Sequence, residues 1–168
     1  KLFYEANSNS YSQTKMVGIP PNDIANRTVQ YHFNIQNIGD ESAKNVLLID
    51  TIPPYQSYIA GSMQTSMNGV TWTTMTDGSD GDAGYFDASL DRVIVGVGNG
   101  ATSANGGQLL QAATRYVRFK TLIDDGYTFP NPPSFYQAPN FAKVFFTDTA
   151  AYSYDQNSNG VMLTIDNA

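Results

Sequence analysis

Residues 29–54, VQYHFNIQNIGDESAKNVLLIDTIPP, constrain the fold more than any other stretch. Val29, Tyr31, Phe33 and Ile35 alternate with Gln30, His32, Asn34 and Gln36. That period of two is the pattern of a strand with one buried face and one wet face. Asn37-Ile38-Gly39-Asp40 interrupts it with turn residues. Val46, Leu48 and Asp50 then share one face of a second strand, which Pro53-Pro54 ends. An aspartate where the apolar pattern calls for a core residue is costly unless it finds a partner. Asp50 is therefore the first residue singled out for chemistry.

The rest of the chain repeats this grammar. Thr14 to Val17 reads as a short strand before Gly18 and Pro20-Pro21, and Tyr58 to Ser62 as another. Asn68-Gly69 predicts a two-residue hairpin between Met63–Met67 and Val70–Thr74. Arg92 to Val97 is β-branched. Val117, Phe119, Thr121 and Ile123 share one face of Arg115 to Ile123, and Ala142, Val144 and Phe146 mark a further strand. Asn159-Gly160 predicts a second hairpin, with Val161, Leu163 and Ile165 in the last strand. Roughly eight to ten short strands separated by turns make a sandwich pattern. One short stretch, Gly107 to Arg115, has some helical character, too brief to alter the fold class. The chain of 168 residues is long enough for one domain with a sizeable core. Residues 1–13, polar apart from Leu2-Phe3-Tyr4, read as an N-terminal arm, either a donor strand for a neighbouring copy or a tail that pairs with its own sheet or stays loose; residues 14–168 form the domain.

Composition narrows the function. Net charge is −6, and Lys and Arg are scattered except for Arg115, Arg118 and Lys120. With no basic stripe to neutralise phosphates, nucleic acid is excluded as a partner. No run reaches the length of a membrane helix, so membrane insertion is not expected. The absence of cysteine removes disulfides and thiolate metal sites. A chain rich in Tyr, Asn and Thr, with only 14% charged residues, suits the outside of a bacterial cell. The sole histidine, His32, lies on the wet face of its strand, and no Gly-x-Ser-x-Gly elbow is present, so no catalytic residues are assigned and the chain is expected to be a non-enzyme.

Two loops invite a metal. Asp77, Asp80, Asp82 and Asp87 fall in one glycine-rich segment, whose backbone can fold carbonyls inward around calcium; the alternative is a solvated acidic loop. Asp155, Asn157 and Asn159, followed by Gly160 and Asp166, imitate a calcium-loop spacing. The strand alternation after Gly160 would carry Asp166 on the order of 15 Å away, which favours a plain hairpin. Tyr127, Phe129, Phe135 and Tyr136 in the Pro-rich connection Gly126–Pro139, with Tyr55 and Tyr58, either stack on carbohydrate or fill the end of the sandwich.

The Asn37-x-Gly39-Asp40 turn and the Asp50-Thr51-Ile52-Pro53 ending make the chain resemble the conserved-repeat, immunoglobulin-like domain of bacterial surface proteins, domain of unknown function 11. The resemblance spans roughly Thr14 to Ile165, with the later strands matching in pattern. It implies an all-β, immunoglobulin-like β-sandwich with Greek-key connections, and a structural or adhesive role on the cell surface. Partners would be further copies of the chain or neighbouring surface-protein domains. Some such domains close themselves with a Lys–Asn isopeptide bond assisted by an acid. Carried over residue by residue, the resemblance implies Lys15 as the amine, Asp50 as the acid and Asn140 as the amide. The other reading of Asp50 is a cap for the turn at Thr51–Pro53. The leading expectation is a subunit or spacer of a surface fibre or adhesin. The alternatives are a calcium-dependent carbohydrate- or ligand-binding module and an accessory domain of a secreted hydrolase.

Overall fold

The computed structural model describes residues 1–5, 10–18, 24–124 and 135–166. Three sheets close on one core. The first runs β2 (Ser10–Ser12), β1 (Leu2–Glu5), β4 (Thr28–Gln36), β12 (Thr114–Ile123), β7 (Gln64–Ser66) and β8 (Thr73–Thr74), with β6 (Gln56–Tyr58) also on β12. The second runs β15 (Ser153–Asn157), β14 (Ala142–Thr147), β5 (Ala43–Thr51), β10 (Arg92–Gly96) and β9 (Gly84–Asp87), with β11 (Gly107–Leu109) also on β5. The third runs β13 (Phe135–Asn140), β16 (Val161–Asp166) and β3 (Thr14–Gly18). β16 and β3 pair in parallel; the other pairings among the described residues are antiparallel. Sequence neighbours β4 and β5 lie in different sheets, while β4 pairs with the distant β12 over nine registered positions. This is an immunoglobulin-like sandwich with Greek-key connections.

The alternating faces build the core. Val29, Tyr31 and Phe33 of β4 and Val117, Phe119 and Ile123 of β12 are buried against Val46 and Leu48 of β5, Val93 and Val95 of β10, and Leu163 and Ile165 of β16. The turn after β4 is held by one side chain. Asn37 Oδ1 accepts from the Gly39 N–H at 3.0 Å, and Asn37 Nδ2 donates to Glu41 O at 2.8 Å and Leu109 O at 3.0 Å. An asparagine reaching forward to its own backbone in this way is why the turn takes that residue.

Several local expectations differ from what the chain does. The Asn68-Gly69 hairpin exists, but its ladder closes at Gln64–Thr74 and Thr65–Thr73, leaving a longer loop. Asn68 Oδ1 caps that loop by accepting from the Val70 and Thr71 N–H groups, each at 2.8 Å. Asn159-Gly160 does not close a hairpin: β15 pairs with β14 in the second sheet, whereas β16 pairs with β13 and β3 in the third. Gly107 to Arg115 is strand and turn, and the one helix among the described residues is α1 (Ile24–Arg27). Of the two readings of the N-terminal arm, this structure has β1 paired within its own sheet, Leu2 with His32 and Phe3 with Tyr31, with β2 folded back on it. Residues 126–134 of the Pro-rich connection, with Tyr127 and Phe129, lie outside the described residues. Tyr55 and Tyr136 meet edge to face at 4.6 Å, and Tyr58 stacks on Phe86 at 4.4 Å, both against the core.

Candidate functional site

Asp50 stands near the end of β5, an interior strand of its sheet, facing Val93 of β10 on one side and Ala142 of β14 on the other. It is fully buried. Asn140 arrives from the same direction. The chain leaves the third sheet at Asn140, passes Phe141 and enters the second sheet at Ala142, the register partner of Asp50. Asn140 is therefore two residues from the backbone that flanks the acid, and it too is buried.

The amine comes from the other side of the sandwich. Lys1, at the start of β1, places Nζ 2.5 Å from Asp50 Oδ2, with both side chains fully inaccessible. The ammonium also lies 4.2 Å from the Tyr31 ring centroid and 5.4 Å from that of Phe33. Asp50 Oδ1 and Asn140 Nδ2 are buried without a well-formed hydrogen bond. Unpaired polar atoms are rare and costly in a core. The Tyr31 hydroxyl donates to Gln56 Oε1 at 2.9 Å, and Thr121 Oγ1 donates to the same oxygen at 2.7 Å. Gln56 thus anchors the aromatic floor beneath the lysine.

Burial drives both ionisable partners toward their neutral forms. It lowers the Lys1 amine to about 8, against the opposing pull of Asp50. It raises the Asp50 carboxyl, against the opposing influence of Lys1 and of the nearby Asn140 amide. Desolvation disfavours charge on either group, so a neutral amine and a protonated acid become accessible side by side.

The structure thus gathers Asp50 and Asn140, and the lysine beside them is Lys1. Lys15, on β3, pairs with Leu163 of β16, and β16 separates it from β13 and Asn140. The sequence held one clue to Lys1: a lysine directly before the apolar run Leu2-Phe3-Tyr4 begins a strand. No local signal shows that this strand lies across the sandwich from Asp50.

The acidic loop spends its carboxylates on its own backbone and neighbours. Asp77 accepts from the Tyr58 hydroxyl at 2.6 Å and the Gly61 N–H at 2.7 Å. Asp80 accepts from Thr76 Oγ1 at 2.7 Å. Asp82 accepts from the Thr76 N–H at 2.7 Å and the Gly84 N–H at 2.9 Å. Asp87 accepts from Ser89 Oγ at 2.6 Å and from Arg92 Nε at 3.1 Å. In the second loop, Asp155 pairs with Lys143 at 2.6 Å, Asn157 ends β15, and Asn159 contacts Lys1. Among the described residues, no group of three or more His, Cys, Asp or Glu side chains is arranged to hold a metal ion. His32 is on the outer face as expected, but not wet. Tyr11 covers it at 4.4 Å and Trp72 at 5.3 Å, and burial lowers its pKa to about 4.

No family model matches the sequence, and no curated protein matches it. Solved structures do. The major pilin subunit BcpA of Bacillus cereus superposes with a TM-score of 0.55 at 13% identity, over 89% of this chain and 37% of that one. The major pilin SpaD of Corynebacterium diphtheriae gives 0.52 at 9% identity, over 80% of this chain and 31% of that one. The likeness is one of fold. The chain spans about a third of the length of either pilin. The collagen-binding domain of a Staphylococcus aureus adhesin aligns over 89% of this chain at a TM-score of 0.47 and 13% identity.

Proposed function

We propose that this chain is a non-enzymatic, load-bearing module of a bacterial surface fibre or adhesin, closed by an isopeptide bond between Lys1 and Asn140. The observation that carries the reading is the buried Lys1–Asp50–Asn140 cluster, whose acid and amine are both pushed toward neutrality. The neutral Lys1 Nζ attacks Asn140 Cγ. Protonated Asp50 donates to Asn140 Oδ1 and makes that carbon more electrophilic. Asp50 then relays one proton from Nζ to Nδ2. The Cγ–Nδ2 bond breaks, ammonia leaves, and an amide joins the two side chains, with Asp50 returned to its starting state. No oxidant, metal or cofactor enters this balance. The aromatic rings of Tyr31 and Phe33 exclude water, which raises the share of neutral amine and disfavours hydrolysis.

Such a bond suits a fibre that is pulled. It ties Lys1 to the end of β13, so tension that enters at residue 1 and leaves beyond residue 140 bypasses everything between them. That shields roughly 470 Å of extended chain from unfolding under force. The test is peptide mapping of the native protein by mass spectrometry. A Lys1–Asn140 cross-linked peptide, lighter by one ammonia, is the expected result. Mapping is needed because an Asn159-Gly160 succinimide would lose the same mass. Recovery of both peptides unlinked would refute the reading.

A further inference from the structure

The lysine of this cluster lies just before β1, and its backbone must be held there. β1 is registered on β4 only through Leu2 and Phe3, so Lys1 has no ladder partner on that strand. Asn159 supplies one. The Lys1 backbone nitrogen donates to Asn159 Oδ1 at 2.6 Å, and Asn159 Nδ2 donates to the Lys1 carbonyl at 2.8 Å. One side-chain amide thereby imitates a facing peptide unit and fixes both backbone groups of the lysine.

The turn that carries Asn159 also grips the electrophile's end of the site. Ser158 N–H donates to Ala142 O at 2.8 Å, and the Ala142 N–H donates to Ser158 Oγ at 3.0 Å. Gly160 lies so close to the Phe141 ring that a Cβ there would sit 2.6 Å from Cε1. Val161 is the register partner of Asn140. Four consecutive residues, 158 to 161, therefore contact Ala142, Lys1, Phe141 and Asn140 in turn. They bridge the two residues that must meet, which come from different sheets 139 positions apart in sequence.

We propose that Asn159 is a positioning residue for the cross-link, setting Lys1 Nζ against Asn140 Cγ; this role rests on the Lys1–Asn140 bond proposed above. Asn159 touches neither the Asp50 carboxyl nor the reacting carbon, so it acts through the lysine backbone. Reactions between groups held in place lose about a hundredfold in rate for a misplacement near 1 Å. A geometric role of this kind changes how fast the bond forms and leaves its proton chemistry unchanged.

The experiment follows bond formation after unfolded, unreacted chain is refolded by dilution, reading the cross-linked peptide against time and pH. Wild type is compared with Asn159→Ala and with Asn159→Asp, which keeps the acceptor for the Lys1 nitrogen and loses the donor. Folding of each is checked separately by melting in an Asn140→Ala background, which cannot react. The expected result is a rate about ten- to a hundredfold lower in Asn159→Ala with the pH inflection of the rate unmoved, and an intermediate plateau rate in Asn159→Asp, whose added carboxylate shifts its own inflection. Equal rates in wild type and variants overturn the positioning role and leave the bond standing. An inflection that moves in the uncharged Asn159→Ala variant also overturns it, since Asn159 would then act on the titrating pair. If Asn159→Ala does not fold, the Asn159→Asp comparison decides alone. A wild type that never forms the bond overturns the cross-link and this role together.

Discussion

Replacing Asn140 with alanine isolates the thermodynamic effect of the proposed bond. The substitution removes the electrophile and leaves the Lys1–Asp50 pair intact. Asn140 Nδ2 makes no well-formed hydrogen bond, so truncation removes at most a weak contact of the amide with Asp50 and Tyr31. What is lost is the covalent constraint on the unfolded chain. Closing a loop of this length, from residue 1 to residue 140, removes about 5 kcal/mol of unfolded-state conformational freedom at 25 °C. For a domain of this size that corresponds to a fall in Tm of about 10–20 °C. The assay is thermal unfolding followed by circular dichroism, with intact mass recorded on the same samples. Asp50→Asn supplies the control, because it keeps the shape of the acid but cannot relay a proton. Asn140→Ala in that background should then cost no more than about 1 kcal/mol, the scale of a small cavity. If Asn140→Ala melts within about 3 °C of wild type, or costs as much in the Asp50→Asn background as in wild type, the argument from loop closure fails.

Other outcomes follow from single contacts. Lys1→Ala should abolish the loss of ammonia, whereas Lys15→Ala should retain it, because only Lys1 reaches Asp50; intact mass with peptide mapping reads both. Asp77→Ala should destabilise the domain by about 1–3 kcal/mol in urea titration, since the Tyr58 hydroxyl and the Gly61 N–H both lose their acceptor. His32 has a folded pKa of about 4 against 6.5 in an unfolded chain, so the unfolded state binds the extra proton first. Its contribution to stability is complete above 6.5 and is lost as pH falls toward 4; a His32→Gln variant should show a flatter stability profile across that window.

How far the site could be read in advance depended on the range of each signal. Asp50 was legible because it breaks an apolar period set by Val46 and Leu48 two and four residues away, and the three do share a buried face. The alternation in β4 and β12 placed Val29, Tyr31, Phe33, Val117 and Phe119 in the core for the same reason. Turn chemistry at Asn37 was local in its bonds to Gly39 and Glu41, while its bond to Leu109 O, 72 positions away, had no signal in the sequence. His32 shows the limit of this kind of reading. The period assigned its face correctly, but Tyr11 and Trp72, from distant segments, decided that the face would be dry.

Strand periodicity and turn residues by themselves determined that this chain is a β-sandwich, where its long alternating strands run, and that an acid would be buried among them; short strands such as β9, β11, β13 and β15 carried no such signal. Both signals act over a few bonds, through backbone sterics and side-chain alternation. Only the tertiary structure decided which lysine meets that acid. Lys1 lies just before one strand and Lys15 near the start of another, and nothing local distinguishes them. Their fates separate because β1 pairs with β4, facing Asp50 across the core, while β3 pairs with β16 at the edge of a different sheet. The same holds for Asn159-Gly160, whose sequence is that of a hairpin turn but whose strands part into separate sheets, turning a three-residue connection, Ser158 to Gly160, into the clamp between Lys1 and Asn140. Sheet assignment is a global property, fixed by which long-range pairings bury the most apolar surface together, and no window of the sequence contains it.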